Sequence, residues 1–253
     1  MDKLPQVDNG YLLDQLKKLL LIPSPTGYTG EAIAYLEEQL SAYPGITCHR
    51  SSKGALIVNW IGDLKTTPRA LTAHVDTLGA MVKEIKENGR LKLTQLGSYS
   101  WNTIEGEGCT VLTSRGEAIR GSILLNKASG HVHGKDVSST ERNNETLEVR
   151  LDLVSTSADQ TRETGIGVGD YVFFDPRLEI NQGFVRSRHL DDKAGVACIL
   201  AAVQALQGAD LQPAQDTVFH FSNYEEVGHG AAAGIPAGIH ELVAVDMAAV
   251  GKG

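Results

Sequence analysis

Cysteine is scarce in this chain. Three residues, Cys48, Cys109 and Cys198, stand far apart among 253. An odd, scattered set excludes a disulfide framework and a Cys-type zinc site, and it reads as buried thiols in a reducing compartment, the cytoplasm. Long apolar runs are missing as well. No stretch approaches the ~20 residues that a membrane-crossing helix needs. The N-terminus, MDKLPQVDNGYLLDQL, lacks the basic stretch and apolar core of a secretion signal. No membrane partner is therefore expected. Basic charge is in deficit, with 23 Lys and Arg against 31 Asp and Glu. Nucleic acid is excluded as the main partner on that ground, because such binding is led by clustered Lys and Arg. Repeats and low-complexity segments are also absent. What remains is ordinary: 42% hydrophobic residues suffice for a core, and 253 residues allow one large domain or two smaller ones.

Periodicity divides the chain. Residues 11–21 (YLLDQLKKLLL) carry apolar positions at helical spacing and stop at Pro23 and Pro25. A turn-rich loop, 24–30, leads to a second amphipathic helix over 30–43, ended by Pro44-Gly45. Three strand-like runs follow at 46–50, 55–62 and 69–76. From Thr77 to Phe184 the pattern becomes short strands with Gly-rich turns, including the Asn88-Gly89 hairpin signal. Helix and strand alternation resumes with an Ala- and Leu-rich helix over 192–207, a strand over 216–226 and a short buried strand that ends at Asp246. These patterns predict an α/β fold, a sheet covered by helices, over 1–76 and 185–253, with a small all-β, barrel-like domain inserted at 77–184.

Four acid-and-histidine clusters sit beside the apolar runs: His74-Val75-Asp76, Asp191-Asp192-Lys193, Glu225-Glu226-Val227-Gly228 and Val245-Asp246-Met247. One His and several carboxylates at strand ends are the donors that divalent metals need at a hydrolytic centre. His74 and Asp76, at i and i+2, point to the same side of a strand. Asp76 either takes the second ring N–H of a metal-binding His74 or sits beyond the metals; a solvated polar pair is the plain alternative. Asp191 lies where an extended basic stretch becomes a helix, where a carboxylate can bridge two cations; Asp192 and Lys193 read as cap and helix start. Adjacent Glu225 and Glu226 project in different directions, so one can bind metal while the other reaches water. Asp246 after three apolar residues is costly unless paired or coordinating. His131 and His133 read as loop surface, and His229 is near enough to Glu226 to line a site.

AHVDT (73–77), HLDDKAG (189–195), YEEVGHGA (224–231) and VDM (245–247), with PSPTGYT (23–29) and GVGDYVFFDP (167–176), together resemble the cytosolic co-catalytic metallo-aminopeptidases that include the tetrahedral (TET), deblocking and glutamyl aminopeptidases. Spacing separates this resemblance from the carboxypeptidase G2 and deacetylase-type metallopeptidases. Here 117 positions separate His74 from Asp191, with the β-rich insert between them, and only 35 separate Asp191 from Glu226. The resemblance implies a mixed-sheet, zinc-peptidase-like catalytic domain with helices on both faces and a dimerisation role for the insert. It implies two divalent metal ions, zinc or cobalt, with manganese also admitted by imidazole and carboxylate ligands. By likeness Asp191 would bridge the metals, His74 and Asp246 would complete one site, and Glu226 would bind the second metal. Glu225 would be general base and acid, and Asp76 would orient the His74 side. The implied activity is removal of N-terminal residues from short peptides, by a homo-oligomer built from dimers into a dodecamer.

Two departures qualify the likeness. Thr77 stands where many members carry an acid, and HVDTLGAMV resembles a bacterial subgroup associated with the osmoprotectant N-acetylglutaminylglutamine amide. That subgroup brings an alternative reading, an amidohydrolase or deacylase on a capped dipeptide-like metabolite. The family also places its last metal-ligating His near the C-terminus, and no His follows His240 here. The expectation is a C-terminally truncated chain, which also admits an inactive but assembly-competent fragment.

Overall fold

The computed structural model describes residues 4–249. The ends of the ranges read as the catalytic domain, 1–3 and 250–253, lie outside the described residues. In chain order the elements are α1 (Asn9–Leu21), α2 (Gly30–Ser41), β1 (Ile46–Arg50), β2 (Leu56–Trp60) and β3 (Leu64–His74). Next come β4 (Gly79–Ile85), β5 (Leu91–Leu96), β6 (Gly108–Leu112), β7 (Ala118–Leu125), α3 (Gly130–His133), α4 (Asp136–Ser139), β8 (Leu147–Leu151), α5 (Ala158–Glu163) and β9 (Tyr171–Phe174). The chain continues with β10 (Glu179–Asn181), β11 (Phe184–Arg186), α6 (Leu190–Gly208), β12 (Gln215–Ser222) and β13 (Glu241–Ala244). Contacts divide it into two units, one of residues up to Thr77 and from Pro176 on, the other Leu78–Asp175. Residues 176–184, grouped in sequence with the β-rich block, belong to the first unit, where Leu178 packs against the helical core.

The first unit is built on a five-stranded sheet in the order β1-β2-β12-β3-β13. It is mixed: β1, β2 and β12 pair antiparallel, whereas β12, β3 and β13 run parallel. Strand alternation sorts the side chains. Leu56, Val58, Trp60, Ala73, Phe219 and Phe221 face one side and pack with Leu19, Leu20, Ile33, Leu36, Val196 and Leu200 from α1, α2 and α6. Among the described residues the buried apolar cluster on the opposite face is small: Ile57, Ala70 and Val218, with Ile239 against them. Helices were expected on both faces; among the described residues α1, α2 and α6 share one face. β13 was expected to be buried and to reach Asp246. It ends at Ala244 and is exposed throughout, because it is the edge strand of the sheet.

Local chemistry explains the boundaries. The Asp8 carboxylate caps α1 by accepting from the N–H groups of Gly10 and Tyr11. β3 begins earlier than its apolar run. Leu64 pairs with Gln215 and Arg69 with Thr217, so Lys65 to Pro68 bulge out of register, and Pro68 needs no ladder donor there. In the second unit β4-β5-β8-β7-β6-β9 close into an antiparallel barrel, which leaves no open edge. Its interior is filled by Val82, Leu93, Val111, Ile123, Val149 and Phe174 among others. The Asn88-Gly89 turn connects β4 and β5, with Gly89 at φ +79 where a side chain would be strained.

His220 on β12 is fully buried. Its Nε2–H donates to the Ala233 carbonyl and its Nδ1 accepts from the Thr72 hydroxyl, each at 3.0 Å. A neutral ring thus satisfies both nitrogens and ties the 228–234 loop to the sheet. Burial, partly offset by the Ala233 carbonyl, lowers its pKa below the ordinary histidine value. The unfolded chain therefore binds this proton more readily, and the stabilising contribution, full above about pH 6.5, is lost as pH falls. His220→Gln is expected to flatten the fall in melting temperature between pH 7.5 and 5.5. A pH dependence identical to that of the unsubstituted chain would remove His220 as its source.

Candidate metal centre

The parallel strands β3, β12 and β13 bring three of the four clusters to one edge of the sheet. β3 ends at His74, β12 ends at Ser222 three residues before Glu225, and β13 ends at Ala244 two residues before Asp246. Ligands commonly bind beyond the carboxyl ends of parallel strands, where the chain leaves the sheet. The fourth cluster arrives with α6, which kinks at Asp191 and Asp192 before its regular turns begin; the peptide between these two residues is cis.

His74 is the centre of the arrangement. It is buried, and its Nδ1–H donates to the backbone carbonyl of Asp76 at 2.9 Å. The Asp76 side chain is farther from that nitrogen, at 3.5 Å, so the main chain selects the tautomer. Nε2 then faces Asp191 Oδ1 at 3.0 Å and Glu225 Oε2 at 3.7 Å. Ligand atoms of His74, Asp191 and Asp246 all lie within 4.8 Å of one another. Glu226 is outside that group of three, and among the charges that raise its pKa the largest is Asp191. His131 and His133, read in sequence as loop surface, lie on the short helix α3 of the second unit.

Asp76 takes a different place from a ligand. Its fully buried carboxylate accepts from the N–H of Glu225 at 3.1 Å, the N–H of Glu226 at 3.3 Å and the Thr26 hydroxyl at 2.7 Å. Asp192 is likewise turned inward. Its Oδ2 accepts from the His74 backbone N–H at 3.1 Å, joining the start of α6 to the end of β3. Gly195 makes room for it, because a Cβ there would stand 2.3 Å from Asp192 Oδ1. Thr26 and Gly195 carry no signal of these roles in sequence. A Thr in a turn-rich loop and a Gly in a helix are both commonplace, and their contacts appear only in three dimensions.

The electrostatics favour a cation. Burial would lower the His74 pKa, but its hydrogen bonds to Asp191 and Asp76 and the nearby acids outweigh that and raise it to about 11. Burial pushes Asp192 up to about 7 against the opposing pull of His74. Burial and then Asp191 push Glu226 up to about 7. These groups hold protons because carboxylates are crowded with little water around them. A divalent ion would answer the same demand. One imidazole nitrogen with a preset tautomer and several carboxylate oxygens fit zinc, cobalt or manganese. A cavity of about 380 Å³ opens beside the group, bounded by His74, Glu225 and Asp246 with Ser222, His229 and Ala244. A cavity of about 450 Å³ in the second unit, by Arg90, Arg150 and Val154, is lined by no acid, histidine or cysteine.

The profile of the M42 glutamyl aminopeptidase family matches residues 54–253. YhfE of Bacillus subtilis strain 168, whose name assigns it provisionally to the aminopeptidases, is 48% identical over 242 residues, which are 95% of this chain and 69% of that one. The glutamyl aminopeptidase of Lactococcus lactis subsp. cremoris is 24% identical over 203 residues, and the match spans 56% of its length. Among solved structures, the TET aminopeptidase of a marine-sediment Thaumarchaeota archaeon superposes with a TM-score of 0.77 at 20% identity, over 86% of this chain and 60% of that one. TET1 peptidase of Pyrococcus horikoshii superposes with a TM-score of 0.73 at 23% identity, over 86% of this chain and 62% of that one. At such identities the structural likeness establishes the fold. The chain thus spans little more than half to about two thirds of these relatives. Among the described residues no helix is long and apolar enough to cross a membrane.

Zinc or cobalt at about a hundred times its dissociation constant should raise the unfolding free energy by about 2.7 kcal/mol. In thermal-shift titrations, His74→Ala and Asp191→Asn are each expected to lose most of that rise. An undiminished shift in both variants would mean that the cation binds elsewhere.

Proposed function

The chain belongs to the M42 glutamyl aminopeptidase family, and from that membership we propose that the whole protein is a metal-dependent aminopeptidase acting on short peptides. The observation that carries the reading is the placement of His74. Its Nδ1 is held by the Asp76 carbonyl, and its Nε2 is turned toward Asp191 and Glu225. In this proposal Asp191, His74 and Asp246 would hold one divalent ion, and Glu226, with Asp191 near it, would hold a second. Such ions supply Lewis-acid chemistry, polarising the peptide carbonyl and making water acidic enough to lose a proton near neutral pH.

The remaining work falls to the chain's own residues. The Glu225 carboxylate takes the proton of the attacking water at Oε2 and returns it to the leaving amine nitrogen. About half of its side-chain surface is exposed, so it reaches the cavity. Burial, partly opposed by His74, raises its pKa together with nearby Asp246, Asp76 and Asp191, which moves it toward the range useful to a base at neutral pH. Asp76 orients, since it grips the N–H groups of Glu225 and Glu226 and fixes where both side chains begin. The acidic cavity suits the free ammonium of a peptide N-terminus. We further propose that the barrel unit mediates a homo-oligomer, in line with the Pyrococcus horikoshii TET1 peptidase, which assembles into a tetrahedron or a large octahedral shell. Three free cysteines suit a cytoplasmic setting.

Glu225→Gln should keep the metal-induced thermal shift and lose about 10²–10⁴-fold in turnover of aminoacyl substrates. Turnover within threefold of the unsubstituted chain would take the proton-transfer role from Glu225. Free-amine peptides should be cleaved in preference to N-acylated or C-amidated dipeptides. The reverse preference would make the protein an amidohydrolase of capped metabolites.

A further inference from the structure

We infer that Thr26, in the loop between α1 and α2, is a positioning residue for the Glu225-Glu226 segment and acts through the buried carboxylate of Asp76. Thr26 is buried, and its hydroxyl makes the shortest of the three hydrogen bonds that Asp76 accepts, 2.7 Å to Oδ2. The other two come from the backbone N–H groups of Glu225, on Oδ1, and Glu226, on Oδ2. Three donors on two oxygens define the plane of that carboxylate. Without Thr26, Oδ2 keeps only the longer 3.3 Å bond from Glu226, the carboxylate is held less firmly about its Cβ–Cγ bond, and the two N–H groups have a less stationary acceptor.

The loop that carries Thr26 is itself clamped to the end of β3. The Ser24 hydroxyl donates to the Val75 carbonyl at 2.8 Å, the Thr77 N–H donates to the Ser24 carbonyl at 2.9 Å, and the Thr26 N–H donates to the Thr77 carbonyl at 3.2 Å. Pro25 and Thr77 form an isolated parallel bridge. The loop therefore behaves as a short extra strand laid along residues 75–77, just beyond β3, which holds the Thr26 hydroxyl against Asp76. A second contact ties the same loop to the same segment: Asn223 Nδ2 donates to the Thr29 hydroxyl at 3.4 Å and to the Lys53 carbonyl at 2.8 Å. Asn223 directly follows β12 and lies two residues before Glu225. The α1–α2 loop thus reaches the Glu225-Glu226 segment from two sides, although it supplies neither a metal ligand nor a proton-transfer group.

Amide hydrogen exchange followed by mass spectrometry tests this without requiring catalysis. Thr26→Val keeps the shape and removes the donor, whereas Thr26→Ser keeps the donor. Thr26→Val should speed exchange about tenfold or more over residues 222–228, leave the barrel segment 108–125 unchanged, and be reversed in Thr26→Ser. Thr26→Ala carries the same comparison if the valine variant does not fold. Three results would each overturn the inference: no change at 222–228, equal deprotection in Thr26→Ser, or acceleration spread evenly over both units. A turnover arm rests on the aminopeptidase reading. There, kcat should fall about tenfold or more with KM within about twofold, and the serine variant should recover it. An unsubstituted whole protein that cleaves nothing speaks against the aminopeptidase reading, whereas the exchange result judges Thr26 by itself.

Discussion

The site depends on one buried carboxylate being fully supplied with donors. Asp76 has no exposed surface, and a buried ion of that kind persists only when its oxygens are hydrogen-bonded. The donors come from three separate stretches: the α1–α2 loop, Glu225 and Glu226 after β12, and, at longer range, the ring of His74 at the end of β3. Each stretch satisfies Asp76 and is itself anchored in doing so. The carboxylate therefore joins the α1–α2 loop and the Glu225-Glu226 segment, both outside the sheet ladder, to the end of β3.

Asp192 makes a complementary junction on the other side of His74. It accepts from the His74 N–H and is pressed against Gly195 at the start of α6. The imidazole is thus held at its main chain by one aspartate and at its ring by the carbonyl of another, while Asp191 is left facing its free nitrogen. The groups that face the His74 Nε2 are consequently the less constrained members of the cluster. About half of the surface of Asp191 and Glu225 is open, whereas Asp76 and Asp192 are sealed. Rigid inner acids and accessible outer acids make a division of labour suited to a centre that must be preformed and must also admit a substrate.

Much of this was readable in the chain because acids that directly follow apolar runs have few uses other than capping and coordination. Glu225 and Asp246 stand out on that basis, His74 ends such a run, and Asp191 marks a helix start; the structure brings all four together. Periodicity gave the helices to within a few residues, since α1 and α2 bury one apolar stripe each. What was not readable depended on partners distant in sequence. Thr26 is 50 positions from Asp76, and nothing local marks it. The first residues of β3 are polar and include Pro68, so only the pairing of Leu64 with Gln215 reveals them as strand. Asp246 looked like the end of a buried strand because three apolar residues precede it, but burial also needs neighbours, and among the described residues β13 pairs with β3 on one side only.

The connectivity has a consequence for the order in which the molecule forms. The barrel is one uninterrupted stretch, Leu78–Asp175, whereas the sheet is split around it. β12, the middle strand of the sheet, pairs with β3 across 148 positions, Thr72 opposite His220. Closing so long a loop is entropically costly while the intervening chain is disordered, and cheaper once that chain has condensed. A ribosome delivers the barrel in full before it delivers β12, and domains completed first tend to fold first. His74 therefore waits at a strand end without Asp191, Glu225 and Asp246 until the stretch from Asp191 to Asp246 has been made. Until then the nascent chain holds only the His74 and Asp76 part of the acid cluster, and whatever that cluster binds or does must wait for the sheet to close around the finished barrel.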